Sequence, residues 1–340
     1  MEKKSLFIGI DFSKSKFDVT VLENAEQGAI AQATFDNTKE GFDALLKWVA
    51  QQSKISCENW LFCGEHTGLY SRSLAIFLAK KNLFVWLENP LQIKQSSGIK
   101  RGKTDRADSL VIATYACRFR DRANAYRLAD NALESLQMLH TYRARLVKEK
   151  VLLQVPAAEL RKVVKRDSVS RFIYEESQRK VKNIEKEIKK IETLMHKTIM
   201  ESELRENYLL ALSVKGVGIV TAICLMVHTD NFRAFENAKQ LACYCGCAPF
   251  PNESGTINKG THISRLANGQ LKILLTSCAL SAIKHDKEIS MYYHRKMAEG
   301  KSKYKVINNV RNKLLQRIVA VVKNKIPYRE NYLNPWAKCA

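Results

Sequence analysis

The sequence is short of acidic residues. Its 340 residues include 34 Asp and Glu against 56 Lys and Arg, which leaves a formal net charge of +22. A surplus of that size favours a polyanionic partner, either nucleic acid or an anionic membrane surface. The sequence also lacks an apolar run long enough to span a bilayer, and no signal peptide opens it. We therefore expect nucleic acid, and no membrane, as the partner.

The cysteines lack the pattern of a disulfide framework. There are nine, an odd number, and most lie among apolar residues. We expect small core residues in a reducing cytoplasm. The cluster Cys243, Cys245 and Cys247 has no second Cys or His pair at zinc-finger spacing. Packing is our interpretation of this cluster, and a metal site is the alternative.

The first apolar stretch, residues 5–11, alternates large and small or polar residues and ends on Asp11. This pattern predicts a half-buried strand, and the apolar runs 17–22 and 29–35 predict antiparallel partners. An Asp at the end of a central strand is where open α/β sheets place their chemistry. The alternative is that Asp11 caps a turn.

The same strand pattern recurs at residues 60–65, which end on Glu65, and a further strand is predicted at 83–87. Helices are predicted near 39–49 and 69–81. A flexible basic loop then leads into a helix from near Thr104 and is suited to lie along phosphates. The cations of this segment are Lys94, Lys100, Arg101, Lys103 and Arg106.

From about residue 133 the sequence is helical and highly charged, with one helix up to Pro156. A second stretch has apolar residues at alternating steps of three and four, which predicts a helical hairpin or an intermolecular coiled coil. Its seam consists of Val181, Ile184, Ile188, Ile191 and Met195.

The C-terminal part reads as helices and turns. A turn containing Gly216 and Gly218 precedes the apolar helix 219–227; it either presents N–H groups to a phosphate or joins two packed helices. A helix is predicted at 235–245 and a polar loop at 252–256. The last predicted helix, 306–325, either lines nucleic acid or has a solvated basic face. Its cations include Arg311, Lys313 and Arg317.

Four acids fall at the ends of predicted elements: Asp11 and Glu65 after strands, and Asp105 and Asp108 at the start of a helix. Together they could bind two Mg²⁺ or Mn²⁺ ions, which prefer oxygen ligands and can promote phosphodiester chemistry. Ribonuclease-H-like nucleases have their acids in this order, at strand ends first and then at the start of a helix. The alternative for the last two acids is capping of the helix.

Several motifs together resemble those of the DEDD transposases of insertion-sequence family 110, which are related to the pilin-gene invertases. In the N-terminal part they are Ile8-Gly9-Ile10-Asp11, Glu65-His66-Thr67-Gly68-Leu69-Tyr70, Asn89-Pro90 and Lys103-Thr104-Asp105-Arg106-Ala107-Asp108. In the C-terminal part they are Leu241, Gly246-Cys247-Ala248-Pro249, Ser254-Gly255 and Ile263-Ser264-Arg265.

The resemblance implies an α/β plus α protein. It would have a RuvC-like (ribonuclease-H-like) domain over 1–125, a coiled-coil segment over 126–206 and a mostly helical transposase domain over 207–340. Asp11, Glu65, Asp105 and Asp108 match the family's metal-binding acids. Ser254 matches the serine proposed as nucleophile, which forms a phosphoserine link to DNA.

The resemblance also implies partners. They are donor and target DNA, a structured bridge RNA, and further copies of the chain, with dimers pairing into a tetramer whose active sites are completed between subunits. Such a protein would be bacterial and nucleoid-associated when active. A serine needs a base or metal for activation, and no His or Asp adjoins Ser254 in the sequence. From the residues alone, a polar loop residue is the favoured interpretation of Ser254, and only the resemblance makes it a nucleophile.

The sequence departs from the family pattern at two places, and three other kinds of protein are alternatives. Ser109 stands where the family usually has Ala, and the family's basic pattern is weaker over 267–272. A junction resolvase on the same fold would need only the acids. An actin-like ATPase would need a second Gly-rich phosphate loop, which the sequence lacks. A non-catalytic RNA-binding protein would use only the basic surface. We expect a transposase that recombines DNA.

Overall fold

The computed structural model describes residues 4–26, 28–98, 105–127, 130–163, 167–254, 257–264 and 266–329. At 105–106, 251–254 and 257–262 it describes the backbone and not the side chains. The chain divides into two compact units, Met1–Leu128 and Ala129–Ala340. The first is a mixed α/β unit and the second is mostly helical. A further division at residue 206 stays a prediction.

The first unit is built on one five-stranded sheet. Its elements are β1 (Leu6–Phe12), β2 (Lys16–Leu22), β3 (Ala31–Asp36), α1 (Lys39–Gln52), β4 (Trp60–Glu65), α2 (Leu69–Lys80), β5 (Phe84–Glu88), α3 (Pro90–Ser96) and α4 (Asp105–Arg118). The strand order is β3-β2-β1-β4-β5. β2 runs antiparallel to β1 and β3, whereas β4 is parallel to β1 and to β5. The predicted antiparallel meander is confirmed.

Side-chain alternation gives this sheet two buried faces. Ile8 and Ile10 of β1 join a core with residues of α1 and α2, among them Leu45 and Leu74. Phe7, which alternates with these two residues along β1, joins a core on the opposite face of the sheet. α4 covers that face with residues such as Ile112, Ala113 and Tyr115. The face covered by α4 is the one that concerns the candidate site.

The basic loop predicted after β5 begins instead as the short helix α3. The Asn89 side chain accepts a hydrogen bond from the backbone N–H of Leu91 at 2.9 Å, and Pro90 occupies the first helical position. Both features start a helix, because proline needs no N–H partner there. Lys94 therefore lies on α3. Lys100, Arg101 and Lys103 lie outside the described residues.

The second unit begins with two long helices, α5 (Asn131–Val163) and α6 (Ser168–Met200). Ion pairs join Arg143 to Glu192 at 2.8 Å and Lys150 to Glu185 at 2.7 Å, so the two helices run antiparallel. The predicted seam is buried at Val181, Ile184, Ile191 and Met195, in one core with Leu136 and Leu146 of α5. Of the two predicted possibilities, the seam is used for a hairpin within the chain.

Proline does not end α5, contrary to our prediction. The helix continues through Pro156 to Val163. A proline within a helix removes one backbone hydrogen bond, but the pairing with α6 on both sides of it is retained. Tertiary packing thus overrides the local signal.

The remaining elements are α7 (Arg205–Ser213), α8 (Ile219–His228), α9 (Ala238–Tyr244), β6 (Phe250–Ser254), β7 (Ile257–His262), α10 (Gly269–His285), α11 (Lys287–Ala298) and α12 (Lys303–Asn324). Buried residues of α10 and α12, such as Leu275 and Leu314, join the core of the second unit. β6 and β7 form an antiparallel hairpin in which Phe250 pairs with His262 and Ser254 with Ile257. The polar loop predicted at 252–256 is therefore wrong for most of its length. None of the described helices combines the length and apolar character needed to cross a bilayer.

Candidate active site

α4 lies directly on the backbone of β1 at Gly9. A Cβ atom at this position would lie 2.2 Å from the backbone N of Ala113 and 2.3 Å from the carbonyl O of Ser109. Only glycine permits so close an approach. Beside the crossing, the buried hydroxyls of Ser109 and Thr20 are 2.8 Å apart and hydrogen-bonded. Ser109, which departs from the family's Ala, thus contributes to fixing α4 on the sheet.

Four acids follow at one level of the sheet, on the face covered by α4. Asp11 pairs directly with Asp18 of β2, and Glu65 of β4 pairs with Glu88 of β5. Ile10 pairs with Gly64, so the residues that follow them, Asp11 and Glu65, also lie on neighbouring strands. Neighbouring strands are about 4.8 Å apart. We call Asp18, Asp11, Glu65 and Glu88 the acidic row.

Two members of the acidic row, Asp18 and Glu88, were missed from the sequence. Asp18 is buried, and its carboxylate accepts a 2.6 Å hydrogen bond from the Thr34 hydroxyl. A signal existed: the alternation of β2 places Asp18 and Thr20 on the polar side of an otherwise apolar strand. Glu88 ends a strand as Glu65 does, and its pairing with Glu65 depends on the register of β5.

Glu88 is hydrogen-bonded through both carboxylate oxygens. Its Oε2 accepts from the Tyr115 hydroxyl at 3.1 Å, and its Oε1 accepts from the backbone N–H of Asn89 at 2.6 Å. Burial, followed by the nearby charge of Glu88, raises the pKa of Tyr115 to about 12. Tyr115 therefore stays protonated near neutral pH and remains a donor to Glu88.

Cys63 precedes Glu65 by two residues on β4, so it lies on the same face of the sheet as the acidic row. It pairs with Gly9 of β1. Burial raises the pKa of its thiol, and the charges of Glu88 and Glu65 raise it further. The thiol is therefore neutral, and carboxylates rather than a thiolate are the donors that this face offers.

The donor chemistry of the row fits a hard divalent cation, because carboxylate oxygens are the ligands such ions prefer. Asp108 lies in the first turn of α4, immediately before Ser109. Asp105 begins the same helix, but its side chain lies outside the described set. Among the described side chains, no group of three or more His, Cys, Asp or Glu residues is arranged as a metal site. Mg²⁺ usually keeps several waters and needs only one or two carboxylates.

Ser254 belongs to the second unit and ends strand β6. Its side chain lies outside the described residues. The base of its hairpin is closed by hydrogen bonds between the elements on either side. The backbone N–H of Asn268 donates to the carbonyl of Tyr244 at 2.7 Å, and the Asn268 side chain donates to the Tyr244 hydroxyl at 3.2 Å. Asn308 of α12 donates to the carbonyl of Cys247 at 2.8 Å.

The predicted nucleic-acid contacts have different surroundings. Lys94 is exposed on α3, and Arg106 lies in α4 with its side chain outside the described set. Gly216 has φ of +91°, and a Cβ there would lie 2.7 Å from the carbonyl of Cys278. Packing against α10 thus explains Gly216. Nothing lies within 4 Å of a Cβ built on Gly218.

The basic side chains predicted to line α12 are largely engaged within the protein. Arg311 is 9% exposed and donates to the Thr276 hydroxyl at 3.2 Å. Arg317 donates to Asp286 at 2.8 Å and to Glu288 at 2.6 Å. The Lys313 ammonium lies 4.6 Å from the centroid of the Tyr292 ring. Each of these three cations thus has a contact within the protein, and a contact with nucleic acid stays a prediction.

Cys245 and Cys247 are also internal. Both are buried in the core of the second unit, and burial raises the pKa of each thiol. Packing therefore accounts for both cysteines.

Comparison with protein families shows which class of protein this chain belongs to. A model of DEDD transposases, described as "Transposase", matches residues 8–163, which contain the acidic row and α4. A second model, "Transposase IS116/IS110/IS902 family", matches residues 208–294, which contain the β6–β7 hairpin. The protein is thus a transposase, a DNA-recombining enzyme. It belongs to the IS110 family.

Individual relatives agree with this class. The chain is 25% identical over 332 residues to the "Pilin gene-inverting protein" of Moraxella bovis, which covers 95% of this chain and 97% of the relative. The protein of the same name from Moraxella lacunata matches to the same extent. The chain is also 38% identical over 90 residues to an insertion element IS110 protein of Streptomyces coelicolor. This match covers 26% of this chain and 22% of that protein. The DEDD type of the family indicates dependence on a divalent metal.

Proposed function

We propose that this transposase cuts and rejoins DNA strands with a divalent-metal site in its first unit and a serine nucleophile in its second. The observation that carries the proposal is the meeting of two strand-end acids, Asp11 and Glu65, on the face covered by α4. The helix that begins with Asp105 and Asp108 is the element that crosses this face.

The topology supports a RuvC-like, ribonuclease-H-like fold for the first unit. Three antiparallel strands are followed by two strands parallel to the first, and a helix late in the unit covers the face with the acids. The domain division of the proposal is 1–125, 126–206 and 207–340.

The proposed metal ligands are Asp11, Glu65, Asp105 and Asp108. When bound, Mg²⁺ or Mn²⁺ would activate the attacking oxygen and stabilise the leaving oxygen of a phosphodiester. The contribution of the chain is to orient these carboxylates. The contact of α4 with Gly9 and the Ser109–Thr20 hydrogen bond keep the start of α4 in place.

Ser254 is the proposed nucleophile. Its Oγ loses a proton and forms a bond to a DNA phosphorus, while the bond from that phosphorus to one strand oxygen breaks. The released strand end takes up a proton as a hydroxyl, and a second strand end reverses the step to rejoin the DNA. Ser254 is the last residue of β6, and functional residues are disproportionately found where regular elements end.

The proposed partners are donor DNA, target DNA, a structured bridge RNA and further copies of the chain, as dimers pairing into a tetramer. The formal net charge of +22 supports polyanionic partners. In the cell the protein would be cytoplasmic and nucleoid-associated when active. Co-purification of a discrete RNA, and loss of recombination after its digestion, would test the guide.

A denaturing gel tests the serine chemistry. DNA should remain attached to the wild-type protein and to Ser302→Ala, an exposed serine whose side chain caps nothing. We expect Ser254→Ala to lose the adduct and strand exchange, and Asp11→Asn to lose cleavage. If Ser254→Ala cleaves at the wild-type rate, the enzyme is a metal-dependent junction resolvase without serine chemistry.

A further inference from the structure

Glu88 ends β5, where two of the elements with proposed metal ligands, β4 and α4, come into contact with it. Its backbone carbonyl accepts a 2.8 Å hydrogen bond from the N–H of His66, the residue after Glu65. Its carboxylate accepts the Tyr115 hydroxyl of α4 at 3.1 Å. Glu88 thus contacts both the strand end that carries Glu65 and the helix that begins with Asp105.

The hydrogen bond to Tyr115 is supported by ring packing. The Tyr115 ring centroid is 5.2 Å from that of Trp86 and 4.9 Å from that of Phe119. Tilted ring contacts of this kind restrict the orientation of a side chain. The hydroxyl of Tyr115 is therefore held against Glu88 by its neighbours on both sides.

Two hydrogen bonds fix α4 on the sheet, and they lie on either side of its contact with Gly9. The Ser109–Thr20 bond attaches the helix to β2, and the Tyr115–Glu88 bond attaches it to β5. A helix held at two separated points has its direction determined, because the backbone between them is rigid. The direction of α4 in turn determines where its first turn, with Asp105 and Asp108, lies relative to Asp11 and Glu65.

We propose that Glu88 is a positioning residue for the metal-binding carboxylates, acting through Tyr115 on α4 and through its own carbonyl on the end of β4. This role rests on the proposed metal centre. An aspartate would be one methylene shorter and would not reach the Tyr115 hydroxyl. A glutamine would keep an oxygen acceptor for Tyr115 but lose the charge next to Glu65.

The proposal is tested by measuring the Mn²⁺ affinity of the full chain in the absence of DNA. Electron paramagnetic resonance would measure this affinity. We expect Tyr115→Phe and Glu88→Asp each to weaken Mn²⁺ binding about tenfold, the usual effect of removing a residue that orients metal ligands. Both changes remove the Tyr115–Glu88 hydrogen bond, and the aspartate keeps the negative charge. Tyr126→Phe removes a hydroxyl from the same unit that makes no contact with the acidic row and should bind Mn²⁺ as the wild type does. Thermal unfolding should show all three variants folded.

A double-variant cycle separates positioning from a general loss of structure. If the two side chains act through their shared hydrogen bond, Glu88→Asp combined with Tyr115→Phe should bind Mn²⁺ no more weakly than the weaker-binding single variant. Unchanged Mn²⁺ affinity in both single variants, or fully additive losses in the double variant, would overturn the positioning role of Glu88. Neither outcome would overturn the proposed metal centre. If Asp11→Asn binds Mn²⁺ as well as the wild type does, the metal centre is wrong and the role of Glu88 falls with it.

Discussion

Gly9 shows how one missing side chain sets the geometry of the candidate site. From the sequence, Ile8-Gly9-Ile10-Asp11 could be identified as a strand end, but not as the place where a helix touches the strand backbone. That contact joins residues about a hundred positions apart in the chain. Local pattern gives the strand, and only the fold gives the reason for the glycine.

Replacing Gly9 with alanine should therefore destabilise the first unit. The new methyl group would overlap the backbone of α4 at Ala113 and Ser109, and overpacking of this kind costs about 1–3 kcal/mol. Chemical denaturation would measure the loss. Gly269→Ala is the control, because nothing lies within 4 Å of a Cβ there and the position is helical. Equal stability of the two variants would contradict the described contact.

The acids show the limit of sequence reasoning at the same scale. Asp11 and Glu65 could be recognised because each ends an apolar run. Asp18 and Glu88 share their level of the sheet, but this depends on strand register, which the sequence leaves open. Ser254 was found only through the resemblance, since its residues alone predict a polar loop.

Arg317 was predicted to contact nucleic acid, and the structure gives it an internal partner. It pairs with Asp286, whose side chain is 1% exposed and also caps α11 through the N–H of Ile289. We expect Arg317→Met to cost about 3–5 kcal/mol of unfolding free energy, because the buried carboxylate would lose its counter-charge. Lys313→Met should cost less than about 1 kcal/mol, the usual value of an exposed cation–π contact. Similar losses in urea titrations of both variants would argue against the buried pair.

At the scale of elements, a polar cluster around the buried His140 joins four helices of the second unit. His140 of α5 and His228 of α8 have ring centroids 5.9 Å apart. The Gln270 side chain of α10 lies 3.4 Å from His140, and the Tyr244 hydroxyl of α9 lies 3.5 Å from His228. α9 and α10 are the helices that flank the Ser254 hairpin, so this cluster supports its base.

The cluster makes stability depend on pH. Burial lowers the pKa of His140 to about 4, with smaller contributions from His228 and Arg143, and burial also lowers the pKa of His228. Unfolded histidine takes up a proton near pH 6.5, whereas folded His140 does so only near pH 4. The contribution is therefore complete above pH 6.5 and is lost as pH falls toward 4.

For His140 alone, the loss should be about 2 kcal/mol at pH 5. Guanidinium unfolding at pH 7.5 and pH 5 would measure it. His140→Gln should reduce the difference between the two conditions, whereas His294→Gln, at an exposed position, should leave it unchanged. An identical pH dependence in both variants would rule out His140 as its source.

Elements with strong periodicity were well predicted, including the hairpin seam of α6 and the final helix. The errors fall where tertiary contacts decide. α5 continues through Pro156 because α6 packs along it. Residues 252–254, predicted as loop, belong to β6 because β6 pairs with β7. Neither contact leaves a signal in the local sequence.

At the scale of the whole molecule, the positive charge is the strongest property readable from composition. Much of the charge on α12 proved internal, so the surplus cannot be assigned to one face from the sequence. The charge nevertheless predicts how DNA affinity responds to salt, because bound cations release counterions from phosphates.

DNA binding should weaken steeply between 50 and 200 mM salt. Neutralising about six phosphates would lower the affinity roughly a thousandfold over this range. Fluorescence anisotropy with a labelled duplex would measure the slope. The Arg317→Met variant should keep the wild-type slope, because its guanidinium is engaged with Asp286 and Glu288. An affinity insensitive to salt would exclude phosphate contacts as its main source.

The hydrogen bonds between Tyr244 and Asn268 have a consequence for how this family can diversify. The segment that contains the β6–β7 hairpin lies between Tyr244 and Asn268, which are hydrogen-bonded to each other. Insertions or deletions between these two residues would change the length of the hairpin segment without shifting the register of the helices around it. The part of the chain proposed to attack DNA can thus vary in length independently of the scaffold that holds it.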